Sequence, residues 1–572
     1  MNLTEAQSIL GLDIGSIHTR AIFFDVVEES YHFIAAGSAD STYGEPYFDI
    51  GEGIFEAITQ LQETTGRVFL NQDGNLIIPS RLGIEGVDRL VVTVSCGPDL
   101  RVVTFGLLND VSLETATRLA RTTYTNVLES IGINDRRPLH AQMDSLLAAR
   151  PEILLIAGGT DRGATRSVAR MINMITTILK VVPRDECPKV LYCGNQALAK
   201  KVKDVFEKVT EIHLTHNVRP SIDSEDLQQA SLDLGAMVME EYLRRIGGLD
   251  RLRPLCSDQP VLSGTGFQRV IRFLGTQYDP AKGVLGIDLG SAHTIAAYAN
   301  RVESSLNILP VGMGQGLESV LEDRGVEEIE KWLPDLIPHE EVVATLWQKT
   351  IFPRSIPQTP SGLAIDLAAA RQVLRLVMAE LSLRGAFSSR SFEPILVSGS
   401  VLTSTATPQQ LLLTLLDGLQ PLGITPIVLD QHGIISLLGA SIPFNPLFPV
   451  QVLESTAFVN LATVVTAESS SHSGTTILQA RLQYASGSYI DAEIKQGSLV
   501  ALPLKSRETG QLILKPLRKV RIEDQEITGN PIKIRGGVCG IVIDARGRPL
   551  ELPSGDIERR DLFKHWELML GG

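Results

Sequence analysis

Asp13-Ile14-Gly15-Ser16-Ile17-His18-Thr19 and Asp288-Leu289-Gly290-Ser291-Ala292-His293-Thr294 are one phrase written twice, 275 residues apart. Each copy follows a short apolar run, Ile9-Leu10-Gly11-Leu12 or Val284-Leu285-Gly286-Ile287, and precedes another, Ala21-Ile22-Phe23-Phe24 or Ile295-Ala296-Ala297-Tyr298. Both therefore read as strand, tight turn, strand. Such a turn suits phosphate: glycine lets the backbone come close, amide N–H groups and hydroxyls face an anion, and a carboxylate holds hydrated Mg²⁺. A single copy reads equally as a β-hairpin with Gly and Ser at its bend. Two copies in one local context imply a duplicated lobe, with both turns facing one ligand.

That duplication is the pattern of the actin, sugar kinase and heat-shock ATPase superfamily. The fold class expected is α/β: a two-lobed actin-like ATPase of duplicated ribonuclease-H-like lobes, with an α/β insert in the first lobe and a C-terminal β-rich domain. The 572 residues exceed one hydrophobic core. With 44% hydrophobic and 21% charged residues, the composition is that of a globular protein. A formal charge of −14 argues against a nucleic-acid partner, because phosphate neutralisation needs a positive surface. Five scattered cysteines form neither a C-x-x-C pair nor a zinc-spaced cluster, which fits reduced thiols in cytoplasm. No apolar run reaches membrane-spanning length, so no membrane insertion is expected.

The pattern between the copies alternates strand and helix. Strands are expected at Val87 to Ser95, Ile153 to Ala157 and Val190 to Cys193; helices at Leu113 to Ile131, Thr165 to Leu179, Gln196 to Val209 and Leu227 to Ile246. This predicts a parallel α/β insert at about 90–250 within a first lobe of residues 1–283. The second lobe, 284–447, carries Pro394 to Val401, a buried strand entering a Gly/Ser turn, with helices at about Leu363 to Leu383 and from Pro408. In residues 450–572, the alternation of Leu478, Ala480 and Leu482 with polar residues, and of Ile490, Ala492 and Ile494, predicts a half-buried hairpin in a β-rich domain.

The ordered motifs resemble one group, the glutamate-mutase-associated MutL family. They are Leu12-Asp13-Ile14-Gly15-Ser16, the turn at Ser95, Ala157-Gly158-Gly159-Thr160-Asp161, Tyr192-Cys193-Gly194-Asn195 and Asn217-Val218-Arg219-Pro220, then Asp288-Leu289-Gly290, Gly312-Met313-Gly314, Val397 to Leu402 and Leu429-Asp430-Gln431-His432. The resemblance implies an ATP-binding accessory protein, a nucleotide-dependent chaperone or reactivating factor for an adenosylcobalamin-dependent mutase or another partner enzyme. Family turns at the second site resemble D-V-G-G-A-T-T-D, whereas this chain has Ser291, His293 and Ile295 at three of those positions. ATP binding is thereby better supported than hydrolysis, and the implied enzyme is at most a weak ATPase.

Asp13 and Asp288 are the candidates for catalysis and for Mg²⁺. Gly15, Ser16, Gly290 and Ser291 would cradle phosphates, with Thr19 and Thr294 in the hairpin arms, and Gly399 and Ser400 would line an adenosine pocket. His18 and His293 read as packing or turn residues, since phosphoryl transfer needs mainly positioning and charge stabilisation. Gly158 to Asp161 reads as a strand-end ligand turn or a helix cap. No G-x-x-x-x-G-K-[ST] occurs. The alternatives are a small-molecule kinase of the sugar-kinase type, or a non-catalytic actin-like scaffold.

Overall fold

The structure is a computed structural model that describes residues 7–81, 84–161, 163–279, 281–387, 391–523 and 525–571. Arg162, beside the Gly158 to Asp161 turn, lies outside them.

The repeated phrase builds the centres of two sheets. In the first, the strand Ile9–Ile14, apolar except for Asp13, pairs antiparallel with His18–Val27 and parallel with Arg89–Val94; Ser30–Asp40 and Val261–Leu262 complete five strands. In the second, Gly283–Leu289 pairs antiparallel with Thr294–Ala299 and parallel with Phe392–Ser398. The registers coincide: Asp13 stands between Arg20 and Thr93, and Asp288 between Ile295 and Ser398. The chain is thus a mixed α/β protein in which one strand–turn–strand unit stands at the centre of two sheets. Helix Gly51–Thr65 lies against strand Ser30–Asp40 so closely that a Cβ on Gly37 would stand 2.1 Å from the Ala57 carbonyl oxygen.

The second sheet continues through Ile424–Asp430, Phe458–Thr466, Ile541–Asp544 and Leu499–Leu502, with Ser304–Leu309 at its opposite edge. The alternating segments after 476 form a four-stranded sheet, in which Thr476–Tyr484 and Tyr489–Lys495 are the arms of the expected hairpin. Helix Asp556–Met569 packs Phe563 and Trp566 into the second lobe's core, beside Trp332.

Between the first lobe's strands Arg89–Val94 and Val261–Leu262, the insert forms five parallel strands. Their order is Thr125–Gly132, Leu100–Gly106, Ile153–Ile156, Lys189–Tyr192 and Ile212–Leu214. The helix expected over Leu113 to Ile131 does not form. Residues 113 to 131 are a short helix, Glu114–Ala120, followed by the strand Thr125–Gly132. The run Thr122-Thr123-Tyr124-Thr125 explains the break, because β-branched and aromatic side chains lose rotamer freedom in a helix and fit a strand.

Candidate functional site

Strand pairing brings both turns to the same closure. The Gly15 amide donates to the His18 carbonyl at 3.0 Å, and the Gly290 amide to the His293 carbonyl at 3.1 Å. A Cβ on Gly290 would lie 2.5 Å from that carbonyl oxygen, so glycine is required by close approach. Each turn follows immediately on an aspartate at the end of a central strand.

Those aspartates meet in a small cavity between the lobes. It is lined by Asp13, Arg20, Ser95 and Ser263 of the first lobe and by Asp288, Ser398, Asp430 and Gly433 of the second, with Phe267 and Ile435 as apolar walls. Thr93 Oγ1 donates to Asp13 at 2.7 Å, and Ser263 Oγ lies 3.4 Å from the same oxygen. Asp430 is almost fully buried at the end of strand Ile424–Asp430, where it accepts from the backbone amides of His432 at 3.2 Å and of Ile435, the first residue of helix Ile435–Ser441, at 2.9 Å. A Cβ on Gly433 would stand 2.2 Å from an Arg20 guanidinium nitrogen, so glycine there makes room for the cation.

The positive charge of Arg20 therefore acts on three carboxylates. Burial raises the pKa of Asp13 and of Asp430, opposed chiefly by Arg20 at Asp13 and by backbone hydrogen bonds at Asp430. Asp288 is pushed up to about 6, first by burial and then by the charge of Asp13, against the pull of Arg20. Both hairpin aspartates remain partly accessible through the cleft. The site carries surplus negative charge that a bound cation would relieve.

Not every expected residue reaches the cavity. Thr19 and Thr294 are completely buried in the hairpin arms, and Thr294 Oγ1 donates to the Val311 carbonyl at 2.8 Å. Ser291 turns away from the cleft: its carbonyl accepts from the amides of Gly314 and Gly316, and its buried hydroxyl has no partner among the described residues. Gly15, Ser16 and Gly290 form the turns without lining the cavity. Gly399 adopts φ +130°, where a Cβ would meet the Leu289 carbonyl oxygen at 2.4 Å; Ser400 is exposed. Of that segment only Ser398 reaches the cavity. His293 bonds Asp99 across the cleft at 2.9 Å, and His18 stands 3.9 Å from Asp40.

Arg20, Asp430, Ser263 and Thr93 join the site beyond the residues expected from sequence. Asp430 belongs to the Leu429-Asp430-Gln431-His432 motif, and Arg20 follows Asp13 by seven residues, as Ile295 follows Asp288. Among the described residues no three or more His, Cys, Asp or Glu side chains are placed to hold a metal ion directly. A larger groove of about 1080 Å³ lies at the starts of the insert strands. Several of its cations are already paired, Lys189 with Glu211 and Glu241, Arg245 with Glu152 and Glu241.

The family profile described as MutL protein matches residues 9–456, both lobes and the insert. The chain belongs to the MutL family. No curated protein matches it. Among solved structures, diol dehydratase-reactivating factor in nucleotide-free form is 9% identical, with TM-score 0.30 over 76% of this chain and 99% of that one. Glycerol dehydratase reactivase is 11% identical, with TM-score 0.27 over 71% and 94%. Xylulose kinase from Bifidobacterium adolescentis is 11% identical, with TM-score 0.28 over 78% and 93%. No helix among the described residues is long and apolar enough to cross a membrane.

Proposed function

We propose that this MutL-family chain binds Mg·ATP between its lobes and serves as a nucleotide-dependent accessory factor for a partner enzyme. The observation that supports it is the convergence of Asp13, Asp288, Asp430 and Arg20 beside two glycine turns closed by the same backbone hydrogen bond. Arg20 is the cation suited to phosphate oxygens. Carboxylate and hydroxyl oxygens are the donors Mg²⁺ favours, and with at most two direct carboxylates the ion keeps water in its shell. Asp13 and Asp288 would hold that hydrated ion, which supplies charge neutralisation to the phosphates.

Arg20 orients the phosphates, the Gly15 and Gly290 turns let backbone amides approach them, and Phe267 and Ile435 exclude water from one wall. The cavity, about 30 Å³, has room for only about one or two water molecules. Nucleotide entry therefore requires the lobes to part, and that movement is what a partner enzyme would sense. Family membership makes an adenosylcobalamin-dependent mutase the partner class to test, with lobes 1–283 and 284–447 as the moving bodies and 450–572 as a further contact region.

Calorimetry with Mg·ATP tests the site. Asp13→Ala and Asp288→Ala should each weaken binding by about tenfold or more, as expected when a charged hydrogen-bonding group is lost. Unchanged affinity in both variants would sink the proposal. Pull-down of a cobalamin enzyme with and without ATP tests the partner separately.

A further inference from the structure

The insert is attached by chain to the first lobe alone, yet it rests on the second. It begins at Asp99 and Leu100, directly after the Ser95-Cys96-Gly97-Pro98 turn, and helix Gln228–Arg245 returns the chain. Tyr242 of that helix seals the root: a Cβ on Gly97 would lie 3.0 Å from its ring. From this root Asp99 accepts a hydrogen bond from His293 Nε2 at 2.9 Å, while the Tyr124 ring meets the His293 ring edge-on at 5.4 Å. The second oxygen of Asp99 is buried with no partner among the described residues, so loss of His293 would strand the carboxylate.

A second set of contacts lies along helix Glu114–Ala120. Arg118 Nη1 donates to the Arg384 carbonyl at 3.2 Å, and Arg121 stands 3.6 Å from Glu380. Spaced three apart, the two arginines face the C-terminal turn of helix Pro360–Leu383, where free carbonyls and the helix dipole favour cations. The Arg121 carbonyl also accepts the Ile308 amide at 2.8 Å. Ile308 lies on the edge strand of the second sheet, opposite Ile295 in the arm that leaves the His293 turn. One rigid hairpin thus carries both contacts.

We propose that the insert is a brace that holds the lobes closed, with His293 as the point where a phosphate at the second turn releases it. Opening the cleft to admit a triphosphate must draw the His293 hairpin away from Asp99 and free the helix bearing Arg118 and Arg121. The insert then moves with the first lobe and exposes those two arginines. The release step rests on the nucleotide site proposed above; the brace itself rests on these contacts alone.

Amide hydrogen exchange on the full chain without nucleotide reads the brace, because the Ile308 amide is protected only while Arg121 covers it. His293→Asn and Arg121→Glu should each speed exchange in residues 304–309 by about tenfold, and Glu380→Arg added to Arg121→Glu should restore most of the protection. Unchanged exchange in both single variants overturns the brace. So does acceleration of equal size in the insert's core strand Ile153–Ile156, which would signal general loosening. In stopped flow, both variants should associate with a fluorescent ATP analogue about threefold or more faster than wild type, since a braced cleft lowers the competent population. Equal rates overturn release by opening. If calorimetry finds no ATP binding to wild type, the nucleotide site falls and the release step with it, while the exchange result still decides the brace.

Discussion

At the scale of single residues, one guanidinium serves three carboxylates, and the strand registers show why there is only one. Arg20 stands opposite Asp13, and the equivalent place opposite Asp288 is Ile295. Phosphate binding then depends on Arg20 from one side. Arg20→Ala should weaken Mg·ATP binding about 10- to 100-fold, because hydrogen bonds to charged groups contribute about 1.5–3 kcal/mol, and Arg20→Lys should recover part of it. Calorimetry at neutral pH decides this; affinity within a few-fold of wild type would place the phosphates elsewhere. Asp288 gives a second expectation. Its folded pKa of about 6 lies above the ordinary aspartate value of 3.8, so between those values the folded chain binds the extra proton. Stability from this group is therefore greatest at low pH, falls as pH rises through about 6, and is flat above. Asp288→Asn removes that slope and should raise the melting temperature at pH 8 more than at pH 5. A larger gain at pH 5 would mean that the carboxylate is not destabilised by its surroundings.

At the scale of elements, the two hairpins were legible because glycine, aspartate and flanking apolar runs are local signals. The buried strand Phe392–Ser398 and the long helix before it were legible for the same reason. Apolar spacing alone predicts one helix across Glu114–Ala120 and Thr125–Gly132, because it spans both, and the β-branched run between them decides the break. Arg20 was illegible because a polar residue in a half-buried strand looks ordinary until the opposite lobe supplies Asp288 and Asp430. Ser291 was misplaced because the sequence does not show that the loop of Gly312, Gly314 and Gly316 covers it. The turns themselves are unequal in tightness: a Cβ would approach the facing carbonyl oxygen to 2.5 Å at Gly290 but to 3.0 Å at Gly15. Gly290→Ala should cost about 1–3 kcal/mol, in the range for forced overpacking, and Gly15→Ala less. Urea unfolding of the two variants measures the order, and the reverse order would show that turn geometry does not control the cost.

At the scale of the whole molecule, the C-terminal region is held to the second lobe by charge as well as by sheet. Asp417 on helix Pro408–Leu419 accepts from Arg371 at 2.9 Å and from Arg546 at 2.7 Å, while Arg546 also grips Asp544 at 3.0 Å. Arg546 is fully buried and its guanidinium lies 4.5 Å from the Trp566 ring centre, so one side chain joins the helix, the strand Ile541–Asp544 and the closing helix. Its charge and that of Arg548 hold Asp544 well below the usual carboxylate range against the opposing effect of burial. Removing the cation leaves two buried carboxylates short of a partner, a change that costs about 3–5 kcal/mol when a buried ion pair is broken from one side. Arg546→Ala should therefore lower the urea midpoint strongly. Because strand Phe458–Thr466 lies between Ile424–Asp430 and Ile541–Asp544 in one continuous sheet, the loss should not free the C-terminal region as a separately folding unit. With Trp347 of helix His339–Ile351 replaced by Phe, tryptophan fluorescence reports Trp332 and Trp566 at this junction, and circular dichroism reports the whole chain. For the second lobe and the region after 450 to unfold together, the Trp transition must coincide with the main dichroism loss in both wild type and variant. A fluorescence transition that moves alone in Arg546→Ala would show that the continuous sheet does not bind them into one cooperative body.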